Sequence, residues 1–267
     1  MIRSDFHTHT CYCDGKNTPE EMVLSAIEKG LVSYGFSGHS FAPYDADCCM
    51  SFEGSLNYRR EISALKDKYQ GRINIYCGVE QDIYAPLPDE PYDYTIGSVH
   101  YLFAAGECLA VDYTPQILKA ACAGYFGGDI YSMAEAYFEA VSSVFEETNC
   151  DIIGHFDLIS KFNEGGKLFD PENERYVRAW KAAADELLKC GKPFEINVGA
   201  ISRGYRSEPY PSLEMMLYIA SKGGRFVLSS DAHSRENIAF QFDIWEQRLL
   251  SEGIRIEEFR PVQVYNL

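Results

Sequence analysis

Six histidines are an ordinary number for a chain of 267 residues, but their positions follow a pattern. His7 and His9 close the apolar run 2–6, His39 follows the run 33–37, His100 the run 94–99, His155 the run 151–154 and His233 the run 225–229. One residue separates His7 from His9 at a strand end, so the two-residue period of a strand turns both side chains to the same face, as a bidentate metal clamp. The run 73–79 leads into Glu80, and Ser230-Asp231-Ala232-His233 follows the last run, which brings two carboxylates to the same ends. Imidazole together with carboxylate suits zinc, iron or manganese, and a carboxylate such as Glu80 can join two ions. A lone His-x-His is commonplace. Six of six histidines at the ends of runs, with Glu80 and Asp231 beside them, is the pattern of a multinuclear metal site.

The elements that must position these groups are seven short β-rich runs, at 2–6, 33–37, 73–79, 94–99, 151–154, 194–198 and 225–229. Most are continuously apolar, as parallel strands buried on both faces are. Helical patterns lie between them. The first opens with Thr18-Pro19-Glu20-Glu21, a capping box with proline at the first helical position, and ends at Gly30. Others are predicted at 54–69, 131–147, 171–189 (opened by Asp170-Pro171), 211–222 and 234–250. No repeat or linker divides the chain, so residues 1–267 are expected to form one domain, an α/β barrel in which closure protects every strand edge. An open doubly wound sheet is the alternative, but neither GxGxxG nor GxxxxGK[ST] occurs. In a parallel barrel all six imidazoles would meet at the mouth formed by the C-terminal strand ends. Lys161 and Arg203, after the fifth and sixth runs, sit on the same expected rim as candidate phosphate contacts.

A composition of 46% hydrophobic and 24% charged residues belongs to a globular protein and excludes disorder, collagen and coiled coil. The formal charge of −16, with no Lys/Arg cluster, argues against a nucleic-acid backbone as partner, although a bound metal can reverse the local field for a small anion. Nine cysteines are too sparse for a disulfide scaffold, which points to a reducing cytoplasm; Cys11 and Cys13, beside the histidine pair, read as incidental. Neither a signal sequence nor an apolar stretch long enough to span a membrane is present, and nothing marks an oligomer interface.

Taken in order, Asp5-Phe-His7-Thr-His9-Thr, Gly35-Phe-Ser-Gly-His39-Ser, Gly78-Val-Glu80, Gly97-Ser-Val-His100, Ile153-Gly-His155-Phe-Asp-Leu and Ser230-Asp231-Ala-His233 resemble the motifs of the polymerase and histidinol phosphatase (PHP) superfamily. The resemblance covers nearly the whole chain. It implies a distorted TIM-like (β/α)7 barrel with two or three divalent metal ions, zinc, iron or manganese, at its mouth. By that resemblance His7, His9, Glu80 and Asp231 would hold one ion, Glu80, His100 and His155 a second, and His39, His233 and Asp14 a third. Several relatives carry a histidine where this chain reads Cys13-Asp14-Gly15-Lys16, so Asp14 would serve there as an oxygen ligand.

Within the superfamily, Val111-Asp112-Tyr113, Tyr125-Phe-Gly-Gly-Asp129-Ile-Tyr131, Asp157-Leu-Ile-Ser-Lys161-Phe and Glu195-Ile-Asn197 are similar to the histidinol phosphatase branch. The implied reaction is hydrolysis of a small phosphate monoester, L-histidinol phosphate, in histidine biosynthesis. Glu80, joining two ions, and Asp231, steering protons, would be catalytic, and the loop 101–131 would surround the imidazole and amine. Two other readings stand beside it. One is a PHP phosphoesterase acting on nucleotides or short single-stranded nucleic acid; the other is a metal-binding barrel without catalysis.

Overall fold

A computed structural model describes residues 2–261. Seven parallel strands form the central sheet in the order β1-β2-β3-β4-β7-β8-β9. They are β1 (Ser4–Asp5), β2 (Ser33–Phe36), β3 (Asn74–Asp82), β4 (Tyr94–Ser98), β7 (Ile152–Ile153), β8 (Phe194–Asn197) and β9 (Phe226–Ser229), one for each predicted run. The chain just past β1 turns back onto the chain just past β9. Thr8 bridges Ala232 in parallel, with His9 N–H donating to Ala232 O at 2.9 Å and Ala232 N–H to His7 O at 3.2 Å. The sheet is therefore a nearly closed, distorted TIM-like barrel.

Helices α1 (Pro19–Glu28), α2 (Phe52–Lys68), α3 (Pro115–Tyr125), α4 (Ile130–Ser142), α5 (Val144–Thr148), α6 (Glu174–Leu187), α7 (Gly199–Ser202), α8 (Leu213–Ser221) and α9 (Phe242–Ser251) connect the strands. Thr18 caps α1 in the expected reciprocal box with Glu21. Three predicted helix limits are corrected. Asp170-Pro171 does not open α6, because Asn173 is the cap and accepts from Arg175 N–H. The segment 234–250 is interrupted by left-handed backbone at Ala239 and Gln241, and only α9 continues as a helix. The segment 131–147 breaks at Ser143 into α4 and α5.

Helices α3 and α7 and one hairpin are not among the predicted elements. Helix α3 starts from Thr114-Pro115, the same signature as α1. The antiparallel hairpin of β5 (Tyr101–Ala104) and β6 (Glu107–Ala110) turns on Ala105 and Gly106, both at positive φ as a tight two-residue turn requires.

One apolar core lies between the strand wall and the helices after β4, built on Phe138, Trp180, Phe194 and Phe226. A second joins α1 and α2 to β2 and β3 through Met22, Tyr34, Tyr58 and Ile62. Inside the barrel itself, beneath the mouth, Phe6, Tyr94, Ile96, Ile152 and Val227 make a small plug. Tyr94 fits because two walls lack side chains: a Cβ at Gly78 would stand 2.3 Å from its ring, and one at Gly35 2.4 Å from its hydroxyl. That hydroxyl donates to Phe6 O at 2.6 Å and Phe36 O at 2.9 Å. The floor under the histidines is thus rigid aromatic packing. Phe259, arriving from the C-terminal segment, closes the opposite end with ring centroids 5.1 Å from Phe6 and 5.7 Å from Tyr94.

Candidate metal centre

All six imidazoles converge at the mouth. Ring centroids are 5.2 Å apart for His7 and His9, 4.0 Å for His9 and His233, 5.1 Å for His39 and His100, and 4.8 Å for His100 and His155. Glu80 stands among them, carried inward because β3 runs past its predicted end; His39 and Glu80 pair as a parallel bridge extending β2 and β3. Its two oxygens face different partners. Oε2 lies 3.2 Å from His7 Nε2, 3.5 Å from His9 Nε2 and 3.0 Å from His39 Nδ1, whereas Oε1 lies 2.9 Å from His100 Nε2 and 2.7 Å from His155 Nε2.

Asp231 enters from the other side. Its Oδ1 is 3.3 Å from His9 Nε2 and 3.8 Å from His7 Nε2, and its Oδ2 accepts from Arg203 Nη2 at 2.9 Å. The backbone at Asp231 is left-handed, with φ 47°, and Gly199 opposite leaves room that a Cβ would fill at 2.7 Å from Oδ2. Asp5 anchors this turn by accepting from Ser230 N–H and Ser230 Oγ at 3.1 and 2.5 Å, and from Ala239 N–H at 2.9 Å.

A third group gathers around Asp14, whose Oδ2 is 3.0 Å from His233 Nε2 and whose Oδ1 is 3.5 Å from His9 Nδ1 and 3.7 Å from His39 Nε2.

The donor set fits metal ions. Donor atoms around a tetrahedral ion with bonds of roughly 2.1 Å stand about 3.4 Å apart. His7 Nε2 and His9 Nε2 each stand close to that from Glu80 Oε2, at 3.2 and 3.5 Å, and from Asp231 Oδ1, at 3.8 and 3.3 Å. The first three of these atoms are buried without a hydrogen-bond partner among the described residues, a costly arrangement unless something else satisfies them. Three clusters have metal-binding spacing: His9, Asp14, His39 and His233; His7, His9 and Glu80; His39, Glu80 and His100. None contains a cysteine, although Cys13 Sγ lies 3.5 Å from His9 Nδ1.

Electrostatics without an ion agree. Burial pushes Glu80 and Asp231 up, yet His39, His7 and His100 around Glu80, and Arg203 and His7 beside Asp231, hold both well below the usual carboxylate range. Burial, with His233 and His39 close by, lowers His9 to about 3. Burial also opposes charge on His100, but Glu80 carries it up to about 10.

Glu195, in the middle of β8, escaped the sequence reading as a site residue. Fully buried, it forms a short contact with His7 Nδ1 and accepts from Ser229 Oγ, from His155 N–H at 2.8 Å and from Asn197 Nδ2 at 3.1 Å. Donation from Nδ1 fixes the tautomer of His7 and directs the Nε2 lone pair into the centre. The available signal was a carboxylate inside an apolar run. Asp82, at the end of β3, similarly accepts His100 N–H at 2.8 Å.

Lys161 and Arg203 both line the cavity of about 220 Å³ above the cluster. Each already has a carboxylate: Lys161 Nζ is 3.0 Å from Asp112 Oδ2, and Arg203 is held by Asp231. His100 Nδ1 approaches the other oxygen of Asp112 at 3.7 Å.

The model of the PHP domain family matches residues 5–198, a stretch that carries His7 through His155 and stops before Arg203, Asp231 and His233. A Deinococcus radiodurans protein named a probable histidinol-phosphatase is 30% identical over 270 residues, covering 96% of each chain. The histidinol-phosphatase of Bacillus subtilis is 27% identical and covers 93% of this chain and all of its own. Among solved structures, HisK of Listeria monocytogenes superposes with a TM-score of 0.76 at 21% identity, covering 91% of this chain and 99% of its own. Histidinol phosphate phosphatase of Lactococcus lactis, crystallised with zinc, L-histidinol and phosphate, gives 0.64 at 19% identity over 96% of this chain and 95% of its own. Both solved structures share the barrel. With a family match across most of the length and a relative similar from end to end, this chain belongs to the PHP domain family.

Proposed function

We propose that the protein is a metal-dependent phosphomonoesterase that hydrolyses L-histidinol phosphate to L-histidinol and phosphate. Full-length similarity to histidinol-phosphatases supports the substrate. The observation that carries the chemistry is Glu80: one buried carboxylate offers each of its oxygens to a separate set of imidazoles, beneath a cavity that also holds Lys161 and Arg203. Residues 1–267 act as one catalytic unit in this reading, since the outermost strands β1 and β9 both supply the site.

His7, His9, Glu80 and Asp231 would hold one divalent ion, Glu80, His100 and His155 a second, and His39, His233 and Asp14 a third. Zinc, the ion in the Lactococcus protein, is one candidate; iron and manganese suit the same nitrogen and oxygen donors. Such ions, when bound, supply an activated water near neutral pH and charge to neutralise the phosphoryl oxygens. The protein's own groups do the rest. Glu195 keeps His7 oriented, and Asp82 keeps the backbone of His100 in place. Lys161 and Arg203 bind phosphate oxygens from the cavity wall, with Asp112 and Asp231 fixing where their charges point. Asp231, held ionised by Arg203 and His7 beside it, would steer proton movement through its charge rather than carry the proton itself.

The formal charge of −16 favours a small substrate over nucleic acid, and nine free cysteines suit a reducing cytoplasm. Among the described residues no helix is long and apolar enough to cross a membrane. The deciding experiment measures phosphate release by metal-reconstituted protein from L-histidinol phosphate, a nucleoside monophosphate and a dinucleotide diester, each with a chelated control. Chelator-sensitive preference for L-histidinol phosphate is expected. Preference for either nucleotide would replace the substrate assignment while leaving the metal centre.

A further inference from the structure

The cavity above the cluster is lined by two chemically different sets of side chains. Lys161 and Arg203 present only N–H donors. Tyr101 and Tyr113 also line it, both hydrogen-bonded to Asp45, 8% exposed, in the lip of chain that follows His39. Asp45 accepts from Tyr101 in a short hydrogen bond, and the Tyr113 hydroxyl lies 3.2 Å from each of its oxygens. Backbone N–H groups of Asp47 and Cys48 complete its shell at 3.2 and 3.1 Å.

With its acceptor sites filled, Asp45 has no free face for a substrate. Its effect passes through the phenols. Both hydroxyl protons are committed to the carboxylate, so what each oxygen still offers is lone pairs. Cys48 Sγ lies 3.1 Å from the Tyr113 oxygen, while the Tyr101 hydroxyl makes no other hydrogen bond among the described residues. Asp82 and Asp112 add negative charge to the cavity, and the electron-rich tyrosine faces favour a cation.

We propose that Tyr101 and Tyr113, locked by Asp45, form the subsite that reads a cationic or N–H-bearing nitrogen on the alcohol side of the phosphate monoester, a deepening that rests on the phosphatase reading above. A neutral hydroxyl offers these acceptors only weaker, uncharged O–H donors and is disfavoured on that ground. The subsite is assembled from two separate stretches, the lip before α2 and the chain flanking the β5–β6 hairpin. It therefore lies partly outside the loop 101–131 expected to surround the imidazole and amine.

The test uses metal-reconstituted full-length protein with L-histidinol phosphate, O-phosphoethanolamine and glycerol 3-phosphate, reading kcat/KM for each. Tyr101→Phe keeps the ring and removes the acceptor. It is expected to lower the preference for each nitrogen-bearing substrate over glycerol 3-phosphate by about tenfold, mainly through KM. Tyr113→Phe acts in the same direction, and Asp45→Asn weakens both. Unchanged preference ratios in Tyr101→Phe, including the case where all three substrates lose activity together, overturn the subsite. If the unmodified enzyme does not favour L-histidinol phosphate, the proposed function fails. The O-phosphoethanolamine to glycerol 3-phosphate ratio then still decides the subsite.

Discussion

Glu80 is 1% exposed, so the water that would solvate a carboxylate on the surface is replaced by five imidazoles from four different segments. In the proposed reading, Glu80→Gln removes the shared charge from two ion sites at once. Activity should fall by roughly a thousandfold or more, against about tenfold to a hundredfold for His39→Gln. Phosphate release and metal content measured together check this; equal, modest losses would sink the shared role. The same cluster gives the metal-free protein a particular pH dependence. His9 is lowered to about 3, so between about 3 and 6.5 the unfolded chain binds a proton that the folded chain does not, and stability rises with pH. His100 is raised to about 10, so its contribution is complete below 6.5 and is lost as pH climbs through about 10. Chelated protein should therefore be most stable near pH 6.5, with the alkaline decline removed by metal, which holds His100 deprotonated. Thermal midpoints at about pH 5, 6.5 and 9, with and without chelator, test the sign; chelated protein as stable at the highest pH as at neutrality contradicts it.

Most strands of the barrel deliver a functional residue at or just past their C-terminal end, and the turn that follows decides where the side chain points. The turn after β8 is exacting, because Gly199 faces Asp231 and a methyl group there would also meet Arg203 Nη2 at 2.9 Å. Gly199→Ala should cost about a hundredfold in turnover with the melting temperature shifted by only a few degrees, since the displacement is local. Turnover beside a thermal melt reads it, and full activity would show that Asp231 tolerates the shift. The seven strands were legible because parallel strands buried on both faces are written as short apolar runs with histidines and carboxylates after them. The β5–β6 hairpin was not, because Tyr101 to Ala110 is apolar on both faces without a clear alternation and its turn is an Ala-Gly pair. Helix α3 announced itself through Thr114-Pro115 and could have been read. Glu195 showed only a carboxylate inside an apolar run and Asp45 showed nothing, for a physical reason: a carboxylate becomes a site residue through partners, and theirs come from strands and loops distant in sequence.

At the scale of the whole molecule, the two ends of the barrel divide the work. The mouth carries the charge, while the opposite end is sealed by Phe259 against Phe6 and Tyr94. Phe259→Ala should cost about 2–3 kcal/mol of stability, seen in denaturant unfolding, while kcat of the folded enzyme is maintained because the mouth is remote. A matching loss of kcat would mean the plug sets the geometry of the floor under the histidines. Closure itself joins residues far apart in the chain: Ser230 hydrogen-bonds Asp5 across 225 positions of sequence, and His7 and His9 lie in the stretch just past β1 that makes this seam. During synthesis those two histidines leave the ribosome long before the segment that completes their surroundings. A nascent chain therefore carries the histidine pair unprotected and a strand edge open while the intervening barrel is made, and only emergence of the segment after β9 lets the barrel shut around them.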